Sequence, residues 1–97
     1  MNYYFHPAAE VEHLETVAYY ESRRPGLGAT YLAEFEIIME NVCDSPQRYP
    51  IERKPDIRRR RMENFPFTIL FRVVSNSVQI LAVAHHRRRP AYWLGRF

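Results

Sequence analysis

A single cysteine, Cys43, stands in the 97-residue chain, so no disulfide can form within it, and a reducing, cytoplasmic compartment is the expectation. Glycine is almost as scarce, with three residues, and none sits in a glycine-rich phosphate loop. No run of about 18 apolar residues is present, so no segment is expected to span a membrane. The opening "MNYYFHPAAE" lacks a basic start followed by an apolar stretch and does not read as a secretion signal. Lysine is missing too, apart from Lys54. No pair of carboxylates stands out in the basic half, which leaves a hydrolase built on acids or on a triad without support.

What is present is divided unevenly. Residues 1–50 hold three arginines against eight acids, a net of −5, whereas residues 51–97 hold ten arginines and Lys54 against three acids, a net of +8. Such polarity points to an anionic partner for the second half. The choice of arginine over lysine suits planar, bidentate contacts with phosphate or carboxylate, or stacking on rings. With 46% hydrophobic and 14% aromatic residues, the chain has the makings of one compact domain, 1–97, with a modest core.

The pattern along the chain predicts a short strand at Asn2–Phe5 and a helix opened by Pro7 at its first turn. Val11, Leu14, Val17 and Ala18 would form the apolar stripe of that helix, with Glu10, Glu12 and Glu15 solvated between them. "ESRRPGLG" breaks the pattern. A second helix follows, its stripe made of Ala29, Leu32, Phe35, Met39 and Val42. "DSPQRYP" closes the helical half, because Pro46 and Pro50 cannot continue it. After a loop comes the short, charged run Ile57–Met62. "FTILFRVV" then places Phe67, Ile69, Phe71 and Val73 on one strand face. Beyond the "SNS" turn, "VQILAVA" would place Val78, Ile80, Ala82 and Ala84 on one face, with Leu81 and Val83 on the other. The order β-α-α-β-β-β predicts an α+β domain, a helical hairpin packed on one face of a small antiparallel sheet.

Two basic clusters carry the functional signal. In "IRRRRMENF", Arg59 and Arg61 should share one strand face and Arg58 and Arg60 the other. Charge on an edge strand also deters aggregation, the plainer role for such a cluster. In "AVAHHRRRPAYW", His85 and His86 end the last strand, Arg87, Arg88 and Arg89 leave it, and Tyr92 and Trp93 follow Pro90. Arginines there would neutralise phosphates, and Tyr92 or Trp93 could stack on an unpaired base. Trp93 itself is expected rather to tuck into the core. Adjacent histidines on a strand point to opposite faces, so no metal site is expected and no cofactor is implied. One imidazole could serve as a general acid or base, and the other would sit beneath the helices. Cys43 reads as a small buried hydrophobe.

The element order, "SPQRYP", "FPFTILFRV" and above all "ILAVAHHRRRPAYW" resemble the RelE/ParE superfamily of toxins from bacterial type II toxin–antitoxin modules, over nearly the whole chain. The ending is closer to the ParE branch, often called plasmid-stabilisation proteins. That resemblance implies growth arrest by inhibition of DNA gyrase, a cognate antitoxin as partner, and no catalytic set. Its gyrase contact would fall on Arg87, Arg88, Arg89, Tyr92 and Trp93, a segment expected to add little to folding apart from Trp93. The RelE branch implies instead a metal-independent endonuclease that cuts messenger RNA on the ribosome. Its basic residues would fall on Arg59 and Arg61, with Arg87 on the phosphate and His86 or Tyr92 moving protons. The cation that the RelE pattern expects early in the following strand falls on Thr68.

Overall fold

The computed structural model describes all residues 1–97. Strand β1 (Asn2–Phe5) leads into helix α1 (Pro7–Arg23), α2 (Leu27–Asp44) and a 3₁₀ turn (Pro46–Arg48). Strands β2 (Ile51–Arg53), β3 (Ile57–Arg61), β4 (Phe67–Val74) and β5 (Ser77–His85) complete the chain's regular structure. The sheet runs β1-β5-β4-β3-β2, antiparallel except where β1 lies parallel to β5. The helical hairpin covers one face, as the pattern predicts. Two details go beyond it: three-residue β2, too short to show alternation, and the parallel edge strand β1.

Pro7 opens α1, and the His6 imidazole accepts a hydrogen bond from the Ala8 N–H at 3.0 Å. Between the helices, the Glu21 carboxylate accepts from the N–H groups of Gly26 (2.9 Å) and Gly28 (3.1 Å), satisfying donors that the start of α2 leaves free. Gly26 takes φ +89°, where a side chain would be strained. At Gly28 the helices come close enough that an added Cβ would lie 2.8 Å from the Val17 carbonyl oxygen.

The inward stripe of α1 differs from the expected one. Ala9, His13 and Thr16 are buried and Val17 and Tyr20 pack beside them, whereas Val11 and Leu14 are 54% and 60% exposed and Ala18 is exposed. Aromatic packing decides the rotation. The His13 ring lies 4.3 Å from that of Phe35 and 4.9 Å from that of Phe5, while Tyr20 meets Phe65 edge-on at 4.9 Å. In α2, Phe35, Met39 and Val42 are buried as expected, joined by Tyr31, Ile38 and Cys43, while Ala29 is exposed and Leu32 half-buried. Glu34 holds the chain that enters β4, accepting from the N–H groups of Glu63 and Asn64 and from the Asn64 amide. Desolvation opposes its charge, but these bonds and nearby Arg60 prevail and hold the carboxyl below its ordinary range.

Phe67, Ile69 and Phe71 face the helices together with Val78, Ile80 and Val83. The opposite face carries a second, smaller core of Ile57, Leu70, Leu81, Ala82 and Trp93. Pairing shifts there: Leu70 faces Ala82 but Phe71 faces Ile80, so Leu81 is a bulge. The extra residue breaks the alternation, which puts Ala82 and Ala84 opposite to the face expected for them and gives Val83 to the helices.

Candidate functional site

The register of β3, β4 and β5 sorts the arginines by face. Arg58 and Arg60 stand opposite Phe71 and Ile69, on the helix side. There Arg58 donates to the Tyr49 carbonyl oxygen at 2.6 Å, and Arg60 lies 3.5 Å from Glu63. Arg59 and Arg61 stand opposite Leu70 and Thr68, on the other side. The four consecutive cations therefore divide as alternation requires.

On that second side, Arg59, Arg61, Thr68, His86, Arg88 and Arg89 line a groove of about 310 Å³, closed along one wall by residues 90–93. Its one lining carboxylate is Glu52, 3.3 Å from Arg59. The Thr68 hydroxyl and His86 Nε2 are 3.1 Å apart and hydrogen-bonded. His85 turns the other way: its ring meets Phe67 edge-on at 5.1 Å, and its Nδ1 accepts from the Arg87 N–H. The two histidines thus occupy opposite faces, as adjacent strand residues must. Arg87 is exposed and lies outside the groove.

The C-terminal segment is anchored by a residue that the pattern leaves in solvent. Glu12 accepts from the Val83 N–H (3.0 Å), the Tyr92 hydroxyl (2.8 Å) and both terminal nitrogens of Arg96 (2.8 and 3.0 Å). Beyond Ile80, whose carbonyl accepts from the His6 N–H, β1 no longer pairs with β5, and the Glu12 carboxylate takes the strand's place at Val83. Arg88 lies over the Tyr92 ring at 3.8 Å and 4.0 Å from Glu12. Desolvation, aided by the bond to Glu12, raises the Tyr92 phenol well above its ordinary range. The hydrogen bond to Glu12 likewise raises the Arg96 guanidinium.

These contacts correct one expectation. Trp93 is indeed in the core, 4% exposed, but it is not alone in serving the fold. Arg88, Tyr92 and Arg96 are tied to α1 as well, so the segment belongs to the structure rather than hanging from it. Glu12 and Arg96 gave no signal in the pattern, because their partners lie 84 positions apart. Of the residues expected to act together, Arg59, Arg61, Arg88, Arg89 and His86 converge; Arg87 does not.

Residues 3–90 match the family described as the ParE toxin of type II toxin–antitoxin systems, parDE. The chain belongs to the ParE toxin family. The fold of this ParE-family toxin agrees with that of a solved structure, the chromosomal ParDE toxin–antitoxin system from P. aeruginosa. The TM-score is 0.74 at 17% identity, over 88% of this chain and 95% of that one. No curated protein matches the ParE-family toxin in sequence.

Proposed function

We propose that this ParE-family toxin arrests growth in the cytoplasm by inhibiting DNA gyrase without chemistry of its own, and that a cognate antitoxin neutralises it. The carrying observation is the Tyr92 hydroxyl, which donates to Glu12 while its ring lies under Arg88. A proton carrier must reach the reacting atom and titrate near the working pH; this phenol is engaged and shifted away from neutrality. That leaves His86, bonded to Thr68, as the one remaining of the two expected carriers. Arg87 outside the groove and Thr68 in place of a cation weaken the RNA-cutting alternative further, since a metal-free phosphoryl site needs dense, fixed positive charge.

A groove rich in arginine and an exposed apolar strip on α1 (Val11, Leu14, Tyr19) support an antitoxin that offers both acidic and apolar side chains. Such segments commonly fold as they bind. Expression without the antitoxin tests the reading. Filamentation with induction of the DNA-damage response is expected, together with loss of supercoiling by purified gyrase. Immediate translation arrest with cut messenger RNA would overturn it.

A further inference from the structure

We infer that the groove between β3 and the C-terminal segment binds the phosphate backbone of duplex DNA, so that the toxin holds the nucleic acid directly. The duplex as ligand rests on the gyrase reading; the anion site rests on the groove alone.

Arg59, Arg61, Arg88 and Arg89 line this groove against one carboxylate, Glu52. Arg61 and Arg89 make no ion pair, and both residues are exposed. Arg59 and Arg61 project from the same strand face two residues apart, about 6.7 Å along β3, close to the separation of successive phosphates on one strand. Guanidinium supplies the flat, forked donors that fit a phosphate oxygen pair. The Thr68 hydroxyl and the His86 ring, hydrogen-bonded to each other, line the same groove and add hydrogen-bonding groups to its arginines.

The aromatic residues decide between double and single strands. Recognition of unpaired bases relies on open ring faces for stacking. Here Arg88 occupies the Tyr92 face at 3.8 Å, the Tyr92 hydroxyl is bonded to Glu12, and Trp93 is 4% exposed. No asparagine or glutamine lines the groove to read a base edge. Four arginines beside a covered Tyr92 face and a buried Trp93 suit a backbone whose bases are already paired, held chiefly through its phosphates.

Fluorescence anisotropy of the purified toxin with a labelled 20-base-pair duplex, and with one of its strands, tests this. The duplex is expected to bind more tightly than the strand, with log affinity falling against log salt at a slope of about −3, as roughly three to four neutralised phosphates require. Arg61→Glu with Arg89→Glu should weaken duplex binding at least tenfold, while Arg23→Glu with Arg24→Glu, neither of which lines the groove, should change it less than twofold. Circular dichroism checks folding, and glutamine at positions 61 and 89 replaces glutamate should the first pair unfold. Unchanged affinity in the folded groove variant, or a tenfold preference for the single strand, would overturn the inference. Inhibition of gyrase by a toxin with no affinity for the duplex would sink the groove site and leave the gyrase reading intact. Duplex binding without effect on gyrase would do the reverse.

Discussion

Glu12 and Arg96 meet through two hydrogen bonds, at 2.8 and 3.0 Å, with side chains only 13% and 16% exposed. The pair joins the first helix to the chain's end. Removing one member of a shielded pair strands the other, which is why such losses exceed the worth of an exposed ion pair. Glu12→Ala would also leave the Val83 N–H and the Tyr92 hydroxyl without an acceptor. A loss of about 2–4 kcal/mol is expected in urea denaturation. A loss below 0.5 kcal/mol would show that water replaces the carboxylate without cost.

Trp93, the one tryptophan, closes the smaller core against Leu70 and Leu81. Trp93→Ala should cost about 3–5 kcal/mol. In the otherwise unchanged protein its fluorescence reports where the segment lies, so Glu12→Ala should shift the emission to the red before global unfolding. Coincident transitions would instead mean that segment and domain separate together.

The three neighbouring arginines should not behave alike. Arg87 and Arg89 make no side-chain ion pair, whereas Arg88 covers Tyr92 and approaches Glu12. Glutamine at 87 or 89 should leave the melting temperature within about a degree. Arg88→Gln should lower stability by roughly 0.5–1 kcal/mol, the scale of a partly exposed cation–π contact. Equal effects at all three positions would contradict the arrangement of the segment.

His13 gives stability a dependence on pH. Burial lowers its pKa, and its Nδ1 has no hydrogen-bond partner. The unfolded imidazole takes up a proton near pH 6.5, while the folded one stays neutral to lower pH. Its contribution is therefore complete above about 6.5 and is lost as pH falls towards the folded value. Melting temperatures measured between pH 7.5 and 5 should fall, and His13→Phe should flatten that fall. An identical slope in the variant would assign the effect elsewhere.

Gly28→Ala tests the helix crossing. The new methyl would press on the Val17 carbonyl oxygen, a backbone atom that cannot swing aside, and about 1–3 kcal/mol should be lost. No change in the denaturation midpoint would mean that the hairpin opens freely.

The fold was legible wherever one period ruled. Phe67, Ile69 and Phe71 alternate cleanly and lie where alternation puts them. Helix α1 was legible as a helix but not in its rotation, because both sides carry apolar residues. His13 and Thr16 read as polar yet lie inward, while Leu14 reads as core and lies in solvent. Arg59 and Arg61 could be assigned to a common face from spacing alone. Glu12 could not be assigned to the site, since an isolated acid on a helix looks the same whether it meets water or a distant arginine. Three-dimensional proximity of residues 12, 83, 92 and 96 leaves no local trace.

The bulge at Leu81 also settles which imidazole meets the Thr68 hydroxyl. Unbroken alternation through Val78 and Ile80 would continue to Ala82, Ala84 and His86, carrying His86 beneath the helices and offering His85 to the arginines. The surplus residue reverses this. Val83 and His85 follow Ile80 onto the helix side, and Ala84 and His86 follow Ala82 to the other. Both histidines border the groove, but the ring bonded to the Thr68 hydroxyl is that of His86, and the ring packed against Phe67 is that of His85. A single apolar residue that touches neither histidine in sequence thus selects the hydrogen-bonding chemistry at the groove's mouth.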